Sequence, residues 1–258
     1  MIVPDRIGHS DIEELYMSDM CMYQVSTLQA LMLGFTRPVV KVEELLRHGD
    51  TGLGTFESVD GEMIVEGGRC YRAMHDGTVA EADGQMGVPF ASVCSIEGGK
   101  HFELNGRFDI DSLKTELNNL IEMDFGLNSM HMVRIDGKFE SVSARSESSY
   151  KAVHLSLKEM LAETQRSFEF EKLSGTLVCV YYPDYMNGIN AEGWHLHFIS
   201  DDKTKGGHVF ELSMTRGTVT IQKISRIEIR IPNDPSFDTY DLKAAMGDEI
   251  RSVEQGKS

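Results

Sequence analysis

Three histidines within one short stretch carry the clearest chemical signal in the sequence. His195 and His197 are separated by one residue and alternate with bulky apolar residues, a pattern typical of a strand. Because strand side chains alternate between two faces, both imidazoles should project from the same face. His208 follows after a polar run, residues 201–207, which ends in two glycines and predicts a hairpin loop.

The register of this hairpin determines where the third imidazole points. If the returning strand pairs Ser200 with Gly207, then His208 lies opposite Ile199, on the face that carries the other two histidines. Three neutral imidazoles suit Zn²⁺, which accepts histidine nitrogens at about 2.0–2.1 Å and, in catalytic sites, leaves a fourth position open for water or substrate. The alternative is an ordinary hairpin whose histidines are surface or core residues.

Length and charge limit the classes of function. The chain has 258 residues and 41% hydrophobic content, enough for one large domain or two small ones. Its 41 acidic and 25 basic residues give a formal net charge of −16. This charge disfavours nucleic acid and anionic membranes as partners. An anionic substrate would have to be captured locally, by a metal or by a well-placed arginine.

The cysteines and the amino terminus indicate where the protein works. Cys21, Cys70, Cys94 and Cys179 are far apart and form no Cys-x-x-Cys pair, which predicts buried thiols in a reducing compartment. The amino terminus lacks an uninterrupted apolar segment of the signal-peptide type, and no stretch has the length of a transmembrane helix. We therefore expect a soluble, cytoplasmic protein.

The order of helix and strand signals predicts an α/β, or mixed α+β, fold in two domains. Residues 1–165 should form an α/β domain with a mixed sheet, and its first 19 residues should be a polar arm. Residues 166–258 should form a smaller antiparallel sheet or barrel that carries the histidine hairpin and ends in a helix from Thr239 to Val253.

Three local signals complete this prediction. Asp111 is expected to be the N-cap of a helix with an apolar stripe. The Asp136-Gly137 pair predicts the turn of a β-hairpin. The segment 146–151, Ser-Glu-Ser-Ser-Tyr-Lys, is expected to be a linker before a helix at 155–164.

Short blocks along nearly the whole chain from about residue 20 resemble, in order, those of the alpha-acetolactate decarboxylase family. The blocks are Tyr23–Thr27, His48–Asp50 with Gly52–Phe56, Asp60–Glu62, Val133–Gly137, Phe168–Phe170, Asn187–Ile189, Gly193–Ile199 and Gly206–Val209. The resemblance implies two α/β domains, a homodimer and a zinc ion on three histidines. It also implies a carboxy-lyase that converts 2-acetolactate, a small 2-hydroxy-3-oxo acid, to (R)-acetoin and CO₂.

The resemblance also assigns the residues of the site. It implies that the zinc ligands are His195, His197 and His208. The implied catalytic residues are Thr55 in Gly-Thr-Phe, Glu62 in Asp-Gly-Glu, Arg145 in Ala-Arg-Ser and Glu254 near the carboxy terminus. Arg145 follows an alanine where the family usually has threonine, and the sequence around Glu254 is poorly specific.

The implied reaction agrees with the chemistry of these residue types. Loss of CO₂ from a β-keto acid leaves electron density that a Lewis-acid metal stabilises as an enediolate. One face of this planar intermediate must then be protonated, and Glu62 and Glu254 are the candidate donors. Arg145 is expected to orient the substrate or a glutamate, because a tight ion pair with the departing carboxylate would not accelerate the reaction.

Two other functions remain open from the sequence alone. A cupin-like metal oxygenase or isomerase shares the His-x-His strand and the later histidine, and usually adds a carboxylate ligand, for which Asp201 or Asp202 would serve. A non-catalytic metal-binding module is the second alternative. For that module, replacing His195 by alanine should change stability without abolishing any reaction.

Overall fold

Strands dominate this structure, a computed structural model that describes residues 20–150, 155–240 and 242. The predicted polar arm, most of the predicted final helix and Glu254 lie outside the described residues. The strands are β1 (Cys21–Val25), β2 (Val40–Lys41), β3 (Thr51–Thr55), β4 (Glu62–Glu66), β5 (Arg69–Ala73), β6 (Val79–Glu81), β7 (Gly87–Val88), β8 (Phe90–Cys94), β9 (Lys100–Asp109), β10 (Met130–Ser146), β11 (Arg166–Tyr182), β12 (Gly193–Ser200), β13 (Gly206–Ile224) and β14 (Arg226–Arg230).

The α-helices of the described residues are few and short. They are α1 (Leu28–Met32), α2 (Val42–Leu45), α3 (Ile110–Asp124) and α4 (Leu157–Thr164). The predicted N-cap of α3 is wrong: the carboxylate of Asp109, not that of Asp111, accepts the backbone N–H of Ser112 at 2.8 Å and starts the helix. Within the described part of the chain, no helix is both long and apolar enough to cross a membrane.

Two large sheets organise the fold. The first has the order β14-β1-β8-β3-β4-β5-β6 and is mixed, because β14 runs parallel to β1 while the other neighbours are antiparallel. The second is antiparallel, in the order β10-β11-β12-β13-β9, and β10 also pairs with β13. The strands β10 to β13 therefore form a closed circuit, as in a small barrel. The predicted mixed α+β fold is confirmed.

Strands from both sides of residue 165 contribute to each large sheet. The first sheet takes β14 from the later part of the chain, and the second takes β9 and β10 from the earlier part. The predicted domain division at residue 165 stays a prediction.

The two faces of β12 pack against different layers. Trp194 lies on the face covered by α3, where its indole N–H donates to the Asn118 side chain at 2.8 Å. Ile199, on the opposite face, packs in a cluster with Leu53 and Ile64 of the first sheet. Because side chains alternate along a strand, His195 and His197 share the face of Ile199 and project toward the first sheet.

A row of glycines explains why one predicted turn is wrong. β10 continues through Asp136-Gly137 without turning. Gly137 lies opposite Gly175 of β11 and Gly217 of β13. A Cβ on Gly175 would lie 2.4 Å from the carbonyl oxygen of Ile199, far inside van der Waals contact. Glycine here permits the close approach of neighbouring strands.

The histidine hairpin has a different register from the prediction but keeps the predicted face. His197 pairs with His208, whereas the prediction paired Ser200 with Gly207. The loop is shorter than expected, because the N–H of Ser200 donates to the carbonyl of Lys205 at 2.9 Å and closes it. The register error is an even number of residues, so His208 still lies on the expected face.

Candidate active site

Three buried imidazoles meet between the two sheets. The Nε2 atom of His195 lies 3.0 Å from Nε2 of His197 and 3.0 Å from Nδ1 of His208. His197 is fully buried, and the other two residues are less than a tenth exposed. The predicted convergence of these three side chains is confirmed.

The positions of these nitrogens fit a metal ion. A tetrahedral Zn²⁺ with bonds of about 2.0–2.1 Å holds its ligand atoms about 3.3 Å apart, close to the two 3.0 Å separations that Nε2 of His195 makes. Nδ1 of His197 lies 2.8 Å from the carbonyl oxygen of Met63. That oxygen can only accept, so Nδ1 carries the proton and Nε2 presents its lone pair to the cluster. These residues can therefore hold a metal.

Burial keeps two of the imidazoles neutral. Desolvation, with a smaller contribution from the positive charge of Arg145, lowers the pKa of His195 to about 3. Desolvation, with a smaller contribution from His195, also holds the pKa of His197 well below its usual value. A metal binds the neutral form of histidine, so at neutral pH both side chains are in the protonation state that ligation requires.

The β3–β4 hairpin brings a carboxylate to the cluster. Glu62, at the start of β4, places one carboxylate oxygen 3.3 Å from Nε2 of His197 and the other 4.0 Å from Nδ1 of His208. Thr55 is the strand partner of Glu62, and its hydroxyl donates to the carbonyl of Gly61 at 2.9 Å. Glu62 therefore contacts the histidines, while Thr55 holds the turn that precedes it.

The turn that leads into Glu62 is strained. Ser58 and Val59 have φ angles of 62° and 53°, in the left-handed region that a β-branched residue rarely adopts. The N–H of Tyr150 donates to the carbonyl of Ser58 at 3.1 Å and helps to hold this conformation. Val59 lines the pocket described below, so the strained backbone shapes the site.

Arg145 approaches the cluster from β10. It pairs with His208 across the β10–β13 ladder, and one of its terminal guanidinium nitrogens lies 3.2 Å from Nε2 of that histidine. The guanidinium is charged at any physiological pH. The arginine assigned from the family resemblance therefore lies beside the histidine cluster.

A pocket lined by both polar and apolar residues adjoins the cluster. Its polar lining residues are Thr55, Glu62, Arg145, Glu147, Gln165, His195 and His208. Its apolar side includes Leu31 of α1, Leu157 and Leu161 of α4, Val59 and Phe90. The pocket can therefore contact both oxygen atoms and alkyl groups of a ligand.

Sequence reasoning missed Glu147. Only 2% of this residue is exposed, although it lies in the segment predicted to be a linker. The serine-rich composition of the segment indicated solvent. The signal that could have found it is its spacing, because Glu147 comes two residues after Arg145, just past the end of β10 at Ser146, and both residues line the pocket.

Of the remaining acidic candidates, Asp201 and Asp202 are described and are not at the cluster. Glu254 lies outside the described residues. Asp202 is exposed, and its carboxylate accepts hydrogen bonds from the hydroxyls of Ser200 and Thr204 at 2.6 Å and 2.7 Å. In the described ranges, neither Asp201 nor Asp202 belongs to the group that can hold a metal. The extra carboxylate ligand of the cupin-like alternative is therefore not supplied by this loop.

Comparison with known sequences identifies the family. The sequence profile of the alpha-acetolactate decarboxylase family matches residues 22–244, most of the chain. The chain belongs to this family. It is 35% identical over 227 residues to the alpha-acetolactate decarboxylase of Lactococcus lactis subsp. cremoris, covering 86% of this chain and 92% of that protein. It is 34% identical over 234 residues to that of Methanosarcina mazei, covering 91% and 80%.

Solved structures lead to the same family. The alpha-acetolactate decarboxylase of Bacillus subtilis superposes with a TM-score of 0.86 at 31% identity, covering 91% of this chain and 99% of that chain. A Staphylococcus aureus protein described as similar to the family superposes with a TM-score of 0.85 at 27% identity, covering 91% of this chain and 100% of that chain. The resemblance stated from the sequence blocks and the expectation of a carboxy-lyase are confirmed.

Proposed function

We propose that this protein decarboxylates 2-acetolactate to (R)-acetoin and CO₂, with Zn²⁺ held by His195, His197 and His208. The observation that carries the proposal is the convergence of three buried histidine nitrogens beside Glu62 and Arg145, in a chain of this family. When bound, zinc supplies a Lewis acid that stabilises negative charge on the substrate oxygens as the carbon–carbon bond breaks.

The pocket orients the substrate through its two sides. The oxygens of 2-acetolactate face the histidines and Arg145, while its two methyl groups rest on the apolar side formed largely by α1 and α4. Decarboxylation breaks the bond between C2 and the carboxylate carbon. The electron pair of that bond moves toward the neighbouring ketone and gives an enediolate, which becomes acetoin when C2 gains a proton.

Proton delivery to one face of C2 accounts for a single enantiomer. Glu62 and Glu254 are the two candidate donors, and Glu62 is the one within the described residues. Its carboxylate lies against the histidine cluster, and its position is set by the β3–β4 turn. A carboxyl group fixed at this wall can transfer a proton from one side only.

Arg145 orients the reacting groups without neutralising the substrate carboxylate. That charge leaves with CO₂, so a tight ion pair would stabilise the ground state more than the transition state. Its guanidinium instead lies beside His208, where it can fix the direction of the substrate relative to the metal ligands. Thr55 acts indirectly, by holding the turn that carries Glu62.

Three further expectations belong to the same proposal. The protein works in the cytoplasm, as a homodimer, and each subunit divides into domains at residues 1–165 and 166–258. Family resemblance supports the dimer and the two domains, and composition supports the cytoplasmic location. Analytical ultracentrifugation at micromolar concentration should give the mass of two chains, and a monomer mass would contradict the proposed assembly.

The proposed reaction is tested with racemic 2-acetolactate. Purified protein should release CO₂ and mainly (R)-acetoin, and a chelator should abolish the acceleration. His208→Ala should lose the activity, whereas His48→Ala, the matched control, should keep it because His48 is exposed and outside the pocket. No acceleration over spontaneous decay would contradict the proposal. Oxygen uptake without acetoin would instead indicate the oxygenase alternative.

A further inference from the structure

Asp60 lies in the turn before Glu62, and both of its carboxylate oxygens accept a hydrogen bond. A terminal guanidinium nitrogen of Arg72 donates to one oxygen at 2.9 Å, and the backbone N–H of Ser149 donates to the other at 3.2 Å. Arg72 belongs to β5, the neighbour of β4 in the first sheet, while Ser149 follows the end of β10. Asp60 therefore ties this turn to two separate parts of the protein.

The backbone of this turn needs such ties. Ser58 and Val59 have φ angles of 62° and 53°, and Gly61 has a φ angle of 95°. The left-handed region is unfavourable for residues other than glycine, above all for a β-branched valine, so it persists only where surrounding contacts enforce it. The turn also passes close to β5, because a Cβ on Gly61 would lie 2.5 Å from the carbonyl oxygen of Ala73. The contacts of Asp60 therefore oppose a tendency of the turn to relax.

The residues on either side of Asp60 reach the site. Val59 lines the pocket. Glu62 places its carboxylate oxygens 3.3 Å from a ring nitrogen of His197 and 4.0 Å from one of His208. Asp60 itself is not part of the pocket lining that the described residues form. Any effect of Asp60 on the reaction must therefore pass through the turn.

We propose that Asp60 is a positioning residue that sets the place of the Glu62 carboxylate beside the histidine cluster. This inference rests on the proposed function, in which Glu62 is a candidate proton donor. The hydrogen bond from Ser149 holds the turn against the segment after β10, and the ion pair with Arg72 orients the carboxylate that accepts this bond. Without the carboxylate, the strained residues can relax and the start of β4 moves with them. A misplacement of about 1 Å can lower a rate by about 100-fold, so a small movement is enough.

Asp60→Ala tests this role because it removes both contacts. The ion pair with Arg72 is partly exposed, so its loss should leave the Tm nearly unchanged. We expect kcat for 2-acetolactate to fall about tenfold. Asp60→Asn keeps an oxygen that can accept the N–H of Ser149, and its kcat should stay within about threefold of the wild-type value. Asp76→Ala is the matched control, because Asp76 is an exposed turn residue that accepts the N–H of Thr78 at 3.0 Å and lies outside the pocket lining.

A double-mutant cycle shows whether Asp60 acts through Glu62. In a Glu62→Gln background, Asp60→Ala should change kcat less than about twofold. An equal decrease of kcat in both backgrounds overturns the proposal, and so does a wild-type kcat in Asp60→Ala. A kcat of Asp60→Asn as low as that of Asp60→Ala also overturns it, because the hydrogen bond from Ser149 would then not hold the turn.

Amide hydrogen exchange follows the turn without any reaction. The N–H of Glu62 donates to the hydroxyl of Ser146 at 3.3 Å, and the N–H of Tyr150 donates to the carbonyl of Ser58 at 3.1 Å. Both amides should exchange about tenfold faster in Asp60→Ala and near the wild-type rate in Asp60→Asn. If Asp60→Ala does not fold, as judged by its thermal unfolding curve, Asp60→Ser, which also removes the carboxylate, replaces it with the same expected results.

The exchange rates separate this inference from the proposed function. A wild type that does not decarboxylate 2-acetolactate, together with the expected exchange rates, would refute the proposed function and leave the positioning of Glu62 by Asp60 supported. Unchanged exchange of the Glu62 amide in Asp60→Ala, in an enzyme whose wild type is active, would refute only the role of Asp60.

Discussion

The hydroxyl of Ser146 joins the strand that carries Arg145 to the strand that carries Glu62. It donates to the carbonyl of Ala73 at 2.7 Å and accepts the backbone N–H of Glu62 at 3.3 Å. Ser146 is fully buried, so water cannot replace these contacts without entering the protein. We predict that Ser146→Ala lowers both stability and activity, because one hydroxyl supports two elements of the site.

The magnitude follows from the two hydrogen bonds. Each buried hydrogen bond contributes about 1 kcal/mol net, so their loss, with the partner groups left inside the protein, should cost about 2 kcal/mol. For a chain of this size, that corresponds to a decrease in Tm of about 4–8 °C. The start of β4 also loses its contact with β10. A displaced Glu62 should then lower kcat by about tenfold.

Denaturant unfolding and steady-state kinetics on the same preparation measure both effects. Ser149→Ala is the matched control, because Ser149 is exposed and contributes its backbone N–H, which the substitution keeps. Its stability and kcat should stay close to those of the wild type. If Ser146→Ala lost less than about 0.5 kcal/mol and kept full kcat, the argument that this hydroxyl positions Glu62 would be refuted.

Other predictions test separate parts of the structure. Gly175→Ala places a Cβ 2.4 Å from the Ile199 carbonyl oxygen, so denaturant unfolding should show a loss of about 3 kcal/mol, and a loss below about 1 would contradict the strand packing. Desolvation lowers the pKa of His131 in the folded protein from 6.5 to about 4. Between pH 6.5 and pH 4 this histidine is therefore protonated in the unfolded chain and neutral in the folded protein, so the free energy of unfolding decreases as the pH drops through this range. His131→Phe should remove about 3 kcal/mol of that decrease between pH 7 and pH 4. If the free energy of unfolding of the variant had the same pH dependence as that of the wild type, His131 would not be the cause of the decrease. Free zinc at 100 times its dissociation constant should stabilise the wild type by about 2.7 kcal/mol but leave the Tm of His208→Ala unchanged, and equal rises would place zinc elsewhere. Arg145→Lys keeps the charge but loses the planar fork, so kcat/KM should fall at least about tenfold, and full turnover would rule out the orienting role.

Local patterns in the sequence were enough to predict the face of the histidine cluster. The alternation around His195 and His197 determines a face within one strand, and an even register error returns His208 to it. The position of the loop was not predictable from the polar run. Its length depends on the closing hydrogen bond between Ser200 and Lys205, which forms only when the two strands pair.

Two errors arose where distant residues override a local signal. Asp136-Gly137 has the composition of a tight turn. However, Gly137 pairs with Gly175 and Gly217, and these three glycines let the long strands pass close to one another without turning. Glu147 lies in a serine-rich segment whose composition indicates solvent. Its burial follows from anchors to parts of the chain far away in the sequence, such as the hydrogen bond from Ser146 to Ala73 at the end of β5.

The pairing of Arg145 with His208 was likewise beyond local analysis. The two residues lie on strands far apart in the sequence, and their contact follows from the long β10–β13 ladder. The family resemblance named both residues as site candidates. Only the sheet topology explains why one guanidinium and three imidazoles lie together.

Stoichiometric reconstitution with zinc tests the central claim most directly. Protein stripped of metal by a chelator and then freed of the chelator is titrated with Zn²⁺, while formation of (R)-acetoin from 2-acetolactate is followed. The three-histidine site predicts a rate that starts near the spontaneous value, rises linearly and saturates at one zinc ion per chain. Full activity in the metal-free protein, or restoration of the same activity in His197→Ala, would contradict it.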